Sequence, residues 1–409
     1  MRGRLRTVLL AAVVASAIIQ PTATASVDTR EDEDIDYHSW SAAREFARGE
    51  LTGVRPGQDG LRISEPAGTR DGYEYGRWTS PLHKPGFGAS ELVASWNAAT
   101  PDGTWLEVEA KARTADGTDT AWYVLGKWAH GDGDIRRTTV AGQDDDHASV
   151  NVDTLVAKPG VRFAAYQLRV TLYRARGSDA TPVLRQAGAM TSYVPERFEV
   201  PISPPGKAAG IELDVPRYAQ NVHRGHYPEY GGGGENWCSP TSTAMVLEYW
   251  GRGPSADELS WLPAGYPDPA VAHAARHTYD YSYEGTGNWP FNTAYAAHYG
   301  LRGHITRLHS LAELEDYIAR GVPVITSQSF LAEELDGAGY GTAGHIMVVI
   351  GFTEDGDVIV NDPASDTTEG VRNVYPREQF ETIWQRTKRH DAQGNVASGP
   401  GGIVYVIKP

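Results

Sequence analysis

Alternation of apolar and polar positions dominates the first half of the chain and gives way to mixed periods in the second. Between residues 37 and 194, the runs 91–96, 105–113, 122–127, 148–153 and 166–174 alternate every second residue, as half-buried strands do. Asp102-Gly103 and Asp116-Gly117 punctuate them as turns. Helical spacing is almost absent, so an antiparallel β-sandwich is expected over 37–194. Residues 195–209 have no period, and four prolines lie between 195 and 206; this reads as a stiff, extended linker.

From 210 to 409 the pattern changes. Thr243, Val246, Leu247 and Trp250 recur at helical spacing behind Cys238. Pro240 suits the first turn, where no N–H is needed, and Gly251 supplies the stop. Ser255 with Glu258, and Ser310 with Glu313, have the spacing of capping boxes that open helices. The second predicts a helix over 311–320. Strands are expected over 322–327, 345–352, 357–361 and 402–407. Helices followed by an antiparallel sheet make this an α+β domain.

The first 25 residues read as a secretory signal. Arg2, Arg4 and Arg6 precede an apolar run over 7–19, Pro21 breaks it, and Ala23-Thr24-Ala25 offers a cleavage site. Ser26 is then the first mature residue; an uncleaved anchor is the alternative. The absence of a consecutive arginine pair argues against twin-arginine export. No later run reaches about 18 apolar residues, so no membrane span is expected after processing, and the protein is expected to be secreted. Net charge is −15 over 409 residues, and loss of the leader arginines makes it more acidic. Nucleic acid and anionic membrane are therefore disfavoured partners.

Cys238 is the only cysteine. An exported chain with one thiol cannot close an internal disulfide. A thiol at a helix N-terminus, beside unpaired N–H groups, is by contrast stabilised as a thiolate. Of 13 histidines, His345 is the best placed partner. It starts the most apolar strand and follows Gly344, which with Gly341, Thr342 and Ala343 leaves room for a substrate. Asp362, at the end of the next strand, can orient the imidazole if it stands opposite His345. A tight turn at Asp355-Gly356 spoils that register, so a wider loop or a bulge near Gly351 is required. Asn361 is the fallback orienter, although alternation sends it to the opposite face. Gln220 can add a side-chain donor to an oxyanion hole. Trp237 and Trp289, with Tyr279, Tyr281 and Tyr283, are candidates to line a substrate groove, and core packing is the alternative for the tryptophans. Gly231 to Gly234 reads as a mobile loop beside the site.

Pro216-x-Tyr218-x-Gln220, Cys238-x-Pro240-Thr241-Ser242, Gly344-His345 and Asn361-Asp362-Pro363 occur in this order. Over residues 211–409 the chain resembles the papain-like cysteine peptidases of the bacteriocin-processing type, and more narrowly their secreted relatives in high-G+C Gram-positive bacteria. The resemblance implies a papain-like fold, with Cys238 as nucleophile, His345 as general acid and base, Asp362 as orienter and Gln220 in the oxyanion hole. It departs at Ser239, where the family usually has glycine; a side chain there would narrow the site or alter specificity.

The expected function is cleavage of a peptide or amide bond through a Cys-His-Asp triad and a thioester, with no cofactor and a peptide or protein as substrate. The alternatives are a non-catalytic cell-wall or carbohydrate-binding protein on the same scaffold, and a thiol-dependent transamidase or amidase. Trp78, Trp96, Trp105, Trp122 and Trp128 would stack on sugar rings if exposed in a row, or fill the sandwich core if not. Asp132-Gly133-Asp134 and Asp144-Asp145-Asp146 match no defined calcium loop and read as solvated turns. His223, His226 and Glu229, with His273 and His277, form a rival zinc reading. It lacks a His-Glu-x-x-His motif and a second cysteine.

Overall fold

Two antiparallel sheets account for the alternation in the first half. The computed structural model describes residues 34–409; the expected signal segment lies outside the described residues. One sheet runs Ala148–Asn151, Thr154–Ala157, Glu91–Ala99, Val183–Tyr193, Gly60–Ile63, Val54–Gly57, with Asp34–Trp40 also paired to Val183–Tyr193. The other runs Glu50–Thr52, Tyr73–Thr79, Phe163–Ala175, Thr104–Thr114, Tyr123–Trp128, with Gly68–Arg70 beside Tyr73–Thr79. Leu92, Ala94 and Trp96 of the first and Leu106, Val108 and Leu168 of the second join one hydrophobic cluster.

Trp78, Trp96, Trp105 and Trp128 are buried. Trp122 is half-buried under the Arg169 guanidinium, 4.1 Å from its ring. These five therefore form no exposed row for sugar stacking. The acidic turns are engaged by the protein itself. Asp132 pairs with Arg276, Asp134 accepts from Gly103 N at 2.7 Å, and Asp145 accepts from His147 N and Ala148 N.

The second half is built on a six-stranded antiparallel sheet ordered Arg302–Arg307, Ile403–Lys408, Val324–Phe330, Thr342–Phe352, Val358–Asn361, Arg372–Tyr375. Ile346, Val348 and Ile350 share a cluster with Met245 and Val246 of the helix Cys238–Tyr249, Ala274 of Pro269–Thr278 and Phe291 of Trp289–His298. Met347 and Val349, pointing the other way, meet Leu311, Leu314 and Ile318 of Leu311–Ile318 and Phe380 and Trp384 of Arg377–Gln385. Alternating residues thus enter two separate cores, which explains why this strand is apolar throughout.

The first cluster continues from one half of the chain into the other. Asn97 exchanges two hydrogen bonds with the Gly303 backbone at 2.7 and 2.9 Å, and Ser95 Oγ accepts from Ile305 N at 2.9 Å. Apart from an isolated bridge between Ala209 and Phe352, residues 195–209 have no regular secondary structure and lie as a strap along the second half. Buried Glu381 accepts from Ser203 N at 2.8 Å, and buried Glu315 accepts from Gly206 N and Ala208 N. Among the described residues no helix is long and apolar enough to cross a membrane.

One expected helix does not form. The Ser255–Glu258 box is made, with both Ser255 N and Oγ donating to Glu258 at 2.8 Å, but it closes only turns. Pro263 follows too soon for a helix to extend.

Candidate active site

Cys238 opens a helix that is buried from Ser239 to Leu247. No side chain caps this N-terminus, so its first N–H groups remain available and carry the positive end of the helix dipole. The half-buried Cys238 faces a cavity of about 1050 Å³ that also takes in Gln220, Tyr340, Gly344 and His345.

His345 lies on Thr342–Phe352 and is 5% exposed. Its Nε2 meets Asp362 Oδ1 at 2.8 Å, and the imidazole faces the same cavity as Cys238. With Nε2 turned to the carboxylate, Nδ1 is the nitrogen left for sulfur. Burial opposes the imidazolium, but the charge and hydrogen bond of Asp362, and the Cys238 sulfur, outweigh it and push His345 up to about 10. Burial would raise Asp362, yet the His345 charge and the hydrogen bonds hold it below the usual carboxylate range.

Asp362 is fully engaged. Oδ1 also accepts from Ala364 N at 2.9 Å, and Oδ2 accepts from Tyr340 Oη at 2.9 Å and Tyr375 Oη at 2.8 Å. The Tyr340 ring packs edge-on against His345 with centroids 5.6 Å apart. Neither tyrosine stood out in the sequence, because each belongs to a segment with no catalytic pattern.

The expected register is corrected. The bulge beside Gly351 is present, but it pairs Val348 with Asn361 and Phe352 with Val358. Asp362 therefore stands diagonal to His345, not opposite it, and the two side chains bridge the offset. Asn361 points away, donating to the Val215 and Pro216 carbonyls at 3.1 and 3.0 Å.

Gln220 is buried and lines the cavity with Cys238. Its Nε2 donates to Glu235 O at 2.7 Å, its backbone N–H to Pro363 O at 2.8 Å, and its Oε1 has no partner. Gly344 also lines the cavity, and a Cβ there would meet nothing within 4 Å.

Trp237 and Ser239 are not groove residues. Trp237 is wholly buried, with Nε1 donating to Tyr230 O at 2.6 Å. Ser239 is also wholly buried; its Oγ bonds Tyr405 Oη at 2.9 Å behind the helix, so it does not narrow the site. Of the aromatic candidates, Trp289 and Tyr283 reach the cavity, whereas Tyr279 is buried elsewhere.

Gly231 to Gly234 is a packed turn, not a loose loop. Gly231, Gly232 and Gly233 have φ of 81°, 96° and 125°, and a Cβ on Gly234 would lie 2.4 Å from His223 Cβ. The segment is glycine-rich for backbone geometry.

Sequence reasoning missed two further parts of the cavity wall. Gln328 sits directly across from His345 in the paired strands, buried, with an unpartnered Oε1. Glu91, Asn151, Thr154 and Val156 come from the N-terminal half. Their contribution depends on how the two halves pack, which no local motif encodes.

Of the rival zinc set, His273 and His277 come together with His130, whereas His223, His226 and Glu229 form no such group among the described residues. Among the described residues, the groups close enough to share an ion are His130 with His273 and His277, and His130 with Glu258 and His298. His223 and His226 instead both reach Tyr266 Oη, at 3.0 and 3.2 Å.

Two family models match separate stretches of the chain. Residues 36–192 match the Peptidase C39 N-terminal domain, and residues 212–392 match the Peptidase_C39 like family. Among solved structures, a Bacillus anthracis protein described as a C39-like peptidase is 20% identical, with a TM-score of 0.29, covering 49% of this chain and 98% of its own. A structure of carbohydrate-binding modules from the β-sandwich superfamily is 10% identical, with a TM-score of 0.16, covering 39% of this chain and 54% of its own. No curated protein matches the chain in sequence.

Proposed function

This chain belongs to the C39-like peptidase family, and from that premise we propose that it is an exported thiol peptidase acting through Cys238, His345 and Asp362. The observation that carries the reading is the buried His345–Asp362 pair, 2.8 Å apart and lining one cavity with Cys238, the only thiol of the chain.

The Cys238 thiolate attacks the carbonyl carbon of a peptide bond, and the carbonyl π pair moves to oxygen. The Cys238 backbone N–H and the Gln220 amide are the proposed oxyanion donors. The imidazolium of His345 gives its proton to the amine as the C–N bond breaks, leaving a thioester on Cys238. Neutral His345 then takes a proton from water, hydroxide adds to the thioester, and the sulfur leaves as thiolate. Asp362 keeps its charge and fixes the ring throughout.

Open space around Gly344, and a cavity wall drawn from both halves of the chain, suit an extended peptide more than a small amide. In this reading the N-terminal β-sandwich helps present the substrate.

Turnover of a quenched-fluorescence peptide library by the full chain tests the proposal, with intact-mass detection of the acyl-enzyme. Cleavage lost in Cys238→Ala, together with a covalent adduct on Cys238, is the expected result. Cleavage at the parent rate in Cys238→Ala overturns the reading.

A further inference from the structure

Four histidines and a glutamate converge where the N-terminal half meets the second half, outside the cavity that holds Cys238 and His345. His130 follows the strand Tyr123–Trp128. His273 and His277 lie one turn apart on Pro269–Thr278, and His298 ends Trp289–His298. Glu258 belongs to the turns made by the Ser255 box. None of the five lines the cavity around Cys238.

The imidazole rings are stacked at short range. His130 lies 3.5 Å from His298 and 4.4 Å from His277, centroid to centroid, and His273 lies 4.1 Å from His277. The ligand atoms of His130, His273 and His277 all fall within 4.8 Å of one another, and so do those of His130, Glu258 and His298. Glu258 Oε1 is 3.9 Å from His130 Nε2 and 4.0 Å from His298 Nε2.

Hydrogen bonding does not account for this grouping. His130 Nδ1 and His298 Nδ1 are buried without a partner, and His130 as a whole is 9% exposed. Unsatisfied buried nitrogens cost stability, and nothing in a core requires four rings of this kind together. The arrangement does suit an ion. His277 Nδ1 donates to His130 O at 2.7 Å, which fixes the tautomer and leaves Nε2 with its lone pair. His273 Nδ1 is held by Tyr295 Oη at 2.9 Å. Imidazoles oriented through their second nitrogen are the usual form of protein metal ligands.

Of the neighbouring cations, Arg276 is paired with Asp132 at 3.2 Å, and the buried Arg137 donates to His277 O at 3.1 Å while its Nη1 has no partner. Glu258 supplies the anionic ligand. Nitrogen-rich donors with one carboxylate select zinc-class ions over calcium or magnesium, which require oxygen.

We propose that this cluster binds one divalent transition-metal ion of the zinc class, built on His130 with its other ligands drawn from His273, His277, His298 and Glu258. The ion is structural. It ties the N-terminal half to the helices that pack behind the cysteine helix, and it takes no part in the thiol chemistry.

The test uses the tag-free full chain carrying Cys238→Ala, so that the thiol cannot hold the ion. The protein is stripped with chelator, dialysed, and titrated with Zn²⁺ and separately with Co²⁺. One ion per chain, a higher unfolding midpoint and the visible d–d absorption of low-coordinate Co²⁺ are expected. His130→Gln and His277→Gln should each weaken Zn²⁺ binding about 100-fold with near-UV circular dichroism unchanged. No binding by the parent, or undiminished binding by both variants, overturns the proposal. If either variant fails to fold, the Co²⁺ spectrum of the parent decides, since the weak absorption of an octahedral oxygen site also overturns it. Because the thiol is absent throughout, neither result bears on the peptidase reading.

Discussion

Asp362 stands diagonal to His345 in the strand pairing, yet the two side chains meet at 2.8 Å with both residues buried. A carboxylate in this position owes its placement to more than the strand: Tyr340, Tyr375 and Ala364 N hold it as well. Replacing Asp362 with Ala is expected to lower kcat/KM by about 100-fold, and His345→Ala by about 10⁴-fold, since the second removes the proposed proton carrier itself. Steady-state kinetics on one cleaved peptide checks the order. Asp362→Ala should also destabilise the fold by about 3 kcal/mol, because it strands a buried imidazolium and two hydroxyls, whereas Cys238→Ala should leave the unfolding midpoint almost unchanged.

Tyr375→Phe removes one of two hydroxyls on Asp362 Oδ2. Hydrogen bonds to a charged acceptor are worth about 1.5–3 kcal/mol, so kcat should drop by roughly tenfold or more while KM holds. A change in KM alone would instead mark Tyr375 as part of the substrate surface.

The pH dependence has two independent signs. His345 has its folded value raised to about 10, so its ion pair is fully present below the ordinary histidine value and is lost as pH rises through about 10. Activity should persist into the alkaline range and fall near there. His304 and His223 are each lowered to about 4, by burial first, with Lys408 adding for His304 and His226 for His223. Their neutral forms stabilise the fold above about pH 6.5, and this contribution is lost as pH falls toward 4. Together they give a slope of roughly 3 kcal/mol per pH unit at most, measurable by denaturant titration between those limits.

Much of this site was legible in the sequence, and the reasons differ by residue. Cys238 was visible because the helix behind it carries its own start and stop. His345 was visible because its strand is apolar on both faces, which follows from its place between two cores. The strand Val183–Tyr193 was not found. It is central to its sheet, but its small residues show no alternation, and Gly188 is there because a Cβ would lie 2.8 Å from His38 O. The helices Pro269–Thr278 and Trp289–His298 were also missed. The first opens on Pro269, the second has Pro290 in its first turn, and Asn288 caps the second by accepting from Phe291 N at 3.0 Å; those signals were in the chain but were hidden by surrounding turn residues. Trp237 was misread because a tryptophan beside a nucleophile looks like a groove wall, whereas here it anchors the helix start.

Ser239→Gly restores the residue usual in related peptidases and should leave KM within about twofold, since the hydroxyl faces Tyr405 rather than substrate. It should cost about 1 kcal/mol through loss of that hydrogen bond and of helix propensity. A large gain in activity would instead show that Ser239 obstructs the site.

Asn151→Trp tests the shared cavity wall. Asn151 is exposed and lies on the N-terminal half, so the change should raise KM for long peptides at an unchanged unfolding midpoint. An unaltered KM for every peptide would separate the N-terminal half from substrate binding.

The most direct measurement is the rate of Cys238 alkylation by iodoacetamide across pH, in the parent and in His345→Ala. If the His345 imidazolium activates the sulfur, the parent is alkylated much faster than His345→Ala at neutral pH, and the gap narrows as the solution becomes alkaline. Superimposable profiles for the two proteins would contradict the account.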